Sequence, residues 1–445
     1  MDDLKRDFAE LVVKKGVNIQ KGQRLAISSL VECADFARLC AKAAYDAGCR
    51  EVIMHWSDDV ITRQKFLHAD DDVFDKIDPW DVDYYNMLSE EGAAFLSIYA
   101  EDPESLSGVD PDRITRAEIA RGKALEAYRK RMMRDECTWC VCSVPTKAWA
   151  RKVFPELSED EAVERLWHEI LTACRVETAS DQNHDGEAPQ NCGGDSTKSS
   201  NGDSDKLNSG DTNQCGGDAL RNWQEHSDEI QKHVDIMNSY DFKTLKYKNA
   251  AGTDVTVELP EGHLWEGGEE KAANGVLFSA NIPTEEVFTL PKRDSVNGTL
   301  VATRPLSLNG TLIEGFSFKV KDGKIVEVHA DKGEQVLKDA ISVDEGASYF
   351  GEVALVPYDS PISKSGVLFL NTLFDENASC HFAFGEAYPC IKGAENMSEE
   401  ELKERGVNMS MTHVDFMVGS PDLSITGITH DGKEVPVFVD GNFAF

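Results

Sequence analysis

The 445-residue sequence contains no run near the ~20 consecutive apolar residues that a membrane-spanning helix requires. Its start, MDDLKRDFAELVVKKG, lacks the basic segment and apolar stretch of a secretory leader, so a cytoplasmic protein is expected. Positive charge is scarce: 46 Lys and Arg stand against 80 Asp and Glu, a net charge of −34. That balance argues against nucleic acid and membrane as partners, because nucleic acids and anionic membranes are both polyanions. A solvated acidic surface accounts for most of the charge, but acid also attracts cations and steers substrates that carry a free ammonium. No GxGxxG or Walker-type loop follows an extended segment, so nucleotide binding has no motif behind it.

Cysteine is not scarce, with 11 residues, but in a chain without a leader these read as reduced thiols. The tightest group is Cys137, Cys140 and Cys142 in CTWCVCSVP. A redox site needs CxxC at a helix start, whereas this one lies in an apolar, β-prone run, and no second CxxC completes a four-cysteine zinc site. Buried strand cysteines are the expectation. Asn297-Gly298 and Asn309-Gly310, formally within glycosylation sequons, read as hairpin turns.

The first part alternates helical and extended patterns. Asp2 or Asp3 can cap a helix with Leu4, Phe8, Leu11 and Val12 on one face and Gly16 at its end. Extended segments at Arg24–Ser28, Glu51–His55, Gly92–Ala100 and Glu136–Ser143, separated by helical ones, predict an α/β layer with a largely parallel sheet. Between Thr178 and Asp218 only five of 41 residues are apolar and seven are glycine, which predicts a mobile surface loop. Its Asp181-x-Asn183-x-Asp185-Gly186 resembles the start of a calcium loop, but Cys192 stands where the bidentate Glu belongs. From about Asp241 short alternating runs predict a curled, mainly antiparallel β domain. Two domains follow, 1–240 (with the 178–218 insert) and 241–445.

Four segments of the second half set His and acid beside apolar strands: NIPTEEVFTLP, GEVALVP, LFDENASCHFAFGEAYP and MTHVDFMVG. His413 and Asp415 stand two apart in an extended run, so both emerge from one face and can hold a divalent cation. Glu352 lies within an apolar strand, where an inward acid needs compensation. Glu376 and His381 frame a turn whose backbone Asp375, Asn377 and Ser379 can satisfy. Of Glu285 and Glu286, alternation allows one to face inward. Composition leaves this constellation evenly weighed against four unrelated solvated loops.

These four segments, in this order, resemble the thermophilic metallo-aminopeptidases of the aminopeptidase T and aminopeptidase S type, as do LSGVDPDRI and PTKAWARKVFP upstream. The insert at 178–218 is the main departure. The resemblance implies two divalent metal ions per subunit (Zn, Co, Mn or Mg), held by Glu286, Glu352, His381, His413 and Asp415, with Glu352 bridging. It places Glu376 as a further ligand or as general base, and Tyr388 as a catalytic residue able to stabilise an oxyanion; a tyrosine closing the turn before Pro389 is the plainer reading. It further implies a homodimer acting on peptides with a free N-terminus. For the α-ammonium a spare carboxylate or a metal is the usual partner, and Glu285 is the candidate acid. Two alternatives stand beside it: a metal-binding but non-hydrolytic acidic binding protein, and a redox or zinc protein built on Cys137 and Cys140.

Overall fold

The apolar segments of the first part assemble a parallel sheet in the computed structural model, which describes residues 1–176, 215–308 and 310–445. The sheet has five strands, ordered Glu51–Ser57, Arg24–Leu30, Ala94–Ile98, Trp139–Cys142 and Asn281–Ile282. All four strands expected before residue 150 are present, and the fifth arrives from the later half to pair with Val141 and Cys142. Leu25, Ile27, Leu96, Ile98, Cys140 and Cys142 fill the core between sheet and helices, joined by Phe369, Leu373 and Phe374 from the far end of the chain. Cys137, two residues before its strand, is also buried, and burial raises the thiols of all three cysteines; Cys137 rises to about 11. A thiolate-based redox or zinc site there is not supported.

The N-terminal helix, Asp2–Leu11, buries Phe8 and Leu11 as its periodicity requires, and continues through one wide turn, Val12–Gly16. Neither aspartate caps it: Met1 holds the cap position, and Asp2 and Asp3 lie inside the first turn, where their charge faces the positive end of the helix. Gly16 is needed for closeness, since a Cβ there would lie 2.7 Å from Cys140 Sγ. A second long helix, Cys215–Tyr240, packs against the first and buries Trp223, Ile230, Val234 and Met237.

Beyond it an antiparallel sheet of eight strands runs from Phe242–Lys248 to Asn442–Phe443. A second antiparallel sheet, of four strands, lies against it in the order Val287–Thr289, Phe350–Leu355, His381–Gly385, His413–Met417. Val287, Phe350, Val353, Leu355, Phe382, Phe384 and Phe416 of the smaller sheet share one core with Leu245, Tyr247, Val255, Leu300 and Phe318 of the larger. The fold is thus α/β with a parallel sheet followed by antiparallel β structure. Asn297-Gly298 is not the expected hairpin turn. It opens the strand Asn297–Val301, where Gly298 takes a positive φ and a Cβ would lie 2.1 Å from the Asp254 carbonyl oxygen. The glycine serves a close approach between strands. Asn309, most of the 178–218 insert and its calcium-like Asp181–Gly186 stretch lie outside the described residues.

Candidate metal centre

Every strand of the small sheet contributes to one cavity of about 280 Å³. Its apolar face is locked into the shared core, so alternation turns His381, His413 and Asp415 to the other side. Glu352 joins them through a register shift between Phe350 and Glu352 in the pairing with His381–Gly385. Phe350 and Glu352 would share a face in a regular strand; the irregularity at Gly351 sends the phenylalanine into the core and the acid to the cavity. Gly351 permits this because a Cβ would lie 2.0 Å from the Glu386 carbonyl oxygen. Small residues stand opposite the functional ones: Ala383 pairs with both Glu352 and Asp415, Ala354 with His381, and Gly385 with His413.

The resulting distances are short. His381 Nε2 lies 3.1 Å from Glu286 Oε2 and 3.3 Å from Glu352 Oε1. His413 Nε2 lies 3.6 Å from the other Glu352 oxygen, Oε2, and 3.3 Å from Asp415 Oδ1. Glu286, Glu352 and His381 form one group whose donor atoms all lie within 4.8 Å of one another, and Glu352, His413 and Asp415 form a second, so Glu352 belongs to both. Each imidazole is oriented from behind: Nδ1–H of His381 donates to the Ser379 carbonyl (3.3 Å) and that of His413 to the Glu386 carbonyl (2.8 Å). This arrangement presents Nε2 to the cavity, as metal-binding histidines require.

Glu376 lines the same cavity from the turn Glu376–Ala378, outside both donor groups. Asn371 caps the short helix before it, and Asp375 accepts the Phe369 and Asn371 amides as expected, whereas Ser379 Oγ is buried without a hydrogen-bond partner. Asn371 Nδ2 also reaches Ser143 Oγ (3.4 Å), tying this turn to the end of a parallel strand. Burial, then Asp415 and Glu286, push the Glu376 carboxyl well above its ordinary value. Tyr388 lines the cavity too, its ring centroid 5.8 Å from that of His413 and 6.0 Å from that of Phe288, both in T-shaped contacts. Burial and the surrounding carboxyls keep its phenol protonated. Tyr99 and Val141, at or beside the carboxyl ends of parallel strands, and Asn281, which opens the fifth, form the facing wall; such carboxyl ends are the usual place for a ligand crevice.

The lining contains five acids, two imidazoles and no Lys or Arg. His413 is raised to about 10: burial opposes its charge, but Asp415 and Glu352 outweigh it. Carboxylate oxygens and imidazole nitrogens in excess negative charge form a donor set that fits divalent cations.

The thermophilic metalloprotease (M29) family matches residues 1–185 and 212–443. The chain belongs to that family. Aminopeptidase 2 of Geobacillus stearothermophilus is 44% identical over 439 residues, covering 98% of this chain and 97% of its own. Aminopeptidase AmpS of Bacillus subtilis (strain 168) is 42% identical over 439 residues, covering 98% of each chain. The solved structure of wild-type AmpT from Thermus thermophilus matches with a TM-score of 0.83 at 35% identity, covering 100% of this chain and 99% of that one. Membership of a metalloprotease family, with donor groups able to hold metal, disfavours the non-hydrolytic binding protein.

One expectation for this M29 protein needs correcting. Glu285 and Glu286 are both buried, and Glu285 points away from the centre onto Arg175, which approaches it with Nη1 at 2.7 Å and Nη2 at 2.9 Å. Its charge is already paired, so it is not the free acid an ammonium requires. Its amide donates to Asn377 Oδ1 (2.7 Å), which fixes the segment delivering Glu286. Sequence reasoning also passed over Glu270, which lines the cavity. It stands in GGEEKAANG, where nothing distinguishes it from Glu269.

Proposed function

We propose that the protein removes N-terminal residues from peptides at a centre of two divalent cations. Glu286 and His381 would hold one, His413 and Asp415 the other, and Glu352 both. The observation that carries this reading is the Glu352 carboxylate, whose two oxygens face two different imidazoles at 3.3 and 3.6 Å. When bound, such cations polarise the scissile carbonyl and make hydroxide available from water near neutral pH.

The remaining steps belong to the chain. Glu376, held by Asn377 Nδ2 at 3.4 Å, takes the proton from the attacking water and returns it to the leaving amine. Its buried carboxyl suits a group that must bind and release a proton within one turnover. The Tyr388 hydroxyl donates a hydrogen bond to the oxygen of the tetrahedral intermediate as charge develops there. The wall of Trp139, Val141, Ala280, Phe288 and Leu373 excludes water and receives the first side chain. A cytoplasmic homodimer belongs to the same proposal, and light scattering tests its oligomeric part; among the described residues no helix is long and apolar enough to cross a membrane.

The test is release of p-nitroaniline from aminoacyl p-nitroanilides by apo protein and by protein loaded with Zn, Co or Mn. Wild type is expected to be active only when loaded, and His413→Ala inactive throughout. Absence of metal-dependent release by wild type would sink the reading.

A further inference from the structure

We propose that Glu270 anchors the α-ammonium group of the substrate, so that a chain end and not an internal amide enters the centre. The inference rests on the aminopeptidase reading and adds to it the residue that makes the enzyme an exopeptidase.

Of the five acids lining the cavity, Glu286, Glu352 and Asp415 face imidazoles, and Glu376 stands beside them. Glu270 comes from elsewhere, a short hairpin of Glu270–Lys271 against Leu277–Phe278. Its neighbour Glu269 pairs with Lys15 at 3.5 Å. Glu270 is half-buried and, among the described residues, forms no ion pair with Lys, Arg or His. Its surroundings are acidic instead: it shares a side-chain hydrogen bond with Asp135, and burial with the charges of Asp135 and Glu266 pushes its carboxyl well up. Backbone bonds hold this arrangement without a counter-charge, through Ala273 N–H on the Asp135 carbonyl (2.8 Å) and Ala272 N–H on that of Val276 (2.9 Å). A cation arriving from the cavity supplies the missing charge.

Two observations identify that cation as an ammonium group. The three carboxyls include no imidazole partner and form no donor group for a metal. Glu270 also opens onto the same cavity as Tyr388, the oxyanion donor. In an N-terminal residue the α-nitrogen and the scissile carbonyl are separated by one carbon. Their two partners must therefore open onto one cavity, as Glu270 and Tyr388 do. An ammonium nitrogen with three N–H donors can bond Glu270 and a second acceptor at once.

The experiment compares wild type, Glu270→Gln and Glu270→Asp as metal-loaded holoenzymes. Three quantities are measured: kinetics on leucine p-nitroanilide, bound metal, and calorimetric binding of isoamylamine, which carries the ammonium without a scissile bond. For Glu270→Gln we expect kcat/KM to fall about 10- to 100-fold, chiefly through KM, the loss of one charge-assisted hydrogen bond. Isoamylamine affinity should fall by a similar factor with metal content unchanged, and Glu270→Asp, which keeps the charge, should recover part of both. Wild-type KM and amine affinity in Glu270→Gln would overturn the assignment, and so would loss of metal, which would make Glu270 a ligand. An inactive wild type that still binds isoamylamine through Glu270 would refute the peptidase reading alone.

Discussion

Replacing Arg175 by methionine strands the Glu285 carboxylate in the core while leaving every candidate metal ligand in the chain. The Glu285 side chain is 4% exposed and that of Arg175 19%, and the two meet through paired contacts at 2.7 and 2.9 Å. The Nη2–H donates a charge-assisted hydrogen bond to Oε2, and Nη1 adds a close ion contact to Oε1. His226 stands 3.8 Å from the same carboxylate, but burial lowers its pKa and its Nε2–H is committed to the Thr284 carbonyl at 2.7 Å. It therefore supplies no substitute charge. Removing one partner of a buried pair costs about 3–5 kcal/mol. At roughly 2–4 °C per kcal/mol for a unit of 150–250 residues, the thermal midpoint should fall on the order of 10 °C. The double variant Arg175→Met/Glu285→Gln removes the stranded charge and should recover most of that loss. Scanning calorimetry on the three proteins decides it. A single variant within about 2 °C of wild type, or a double variant no better than the single, would refute the reasoning. Because the Glu285 amide holds Asn377 and Glu286 follows directly, the single variant should also release metal at temperatures below its midpoint.

Three other outcomes are expected. Tyr388→Phe should lower kcat about 10²- to 10³-fold, the usual cost of one oxyanion donor, with KM little changed; unaltered kcat in steady-state assays would remove Tyr388 from the mechanism. Glu352→Gln should abolish binding of both cations, whereas Asp415→Asn should leave about half the metal, since Glu352 lies in both donor groups and Asp415 in one; elemental analysis distinguishes these. His226 has a folded-state pKa below its ordinary 6.5 because of burial. As pH falls through about 6.5 the unfolded chain takes up a proton that the folded one refuses, so this contribution to stability is present above that pH and lost below it. His226→Gln should flatten that acid limb in denaturation curves between pH 5 and 8, and an unchanged slope would refute it.

The parallel sheet was legible because its strands are continuous apolar runs set between amphipathic helices, a pattern that survives without tertiary knowledge. His413 and Asp415 were legible for a similar reason, since a period of two suffices to put them on one face. Glu352 was legible as an anomaly, an acid in an apolar strand, but not in its direction, which depends on the irregularity at Gly351. Glu285 misled because alternation predicts one inward acid of two. Both are buried because Arg175, 110 residues away in sequence, neutralises the second. Asn297-Gly298 misled because the same dipeptide serves a tight turn and a close strand approach, and only the partner strand at Asp254 decides between them.

The division between strands and turns at the centre has a physical consequence. Glu352, His381, His413 and Asp415 stand on strands of a sheet whose other face is packed into the core, so their positions are set by many contacts at once. Glu376, Tyr388 and Glu270 stand on a three-residue turn, a loop before Pro389 and a two-residue strand. Cations need fixed donors, because a ligand displaced by a fraction of an ångström loses its bond, whereas proton transfer and ammonium binding must follow a substrate as it changes geometry. Rigid strands for four of the donors, with Glu286 one residue before its strand, and short connections for the reacting groups satisfy both demands. The four-stranded sheet can then tolerate variation in the connections without losing its metal, while a bulkier residue at Ala383, opposite both Glu352 and Asp415, disturbs the donors of both groups together.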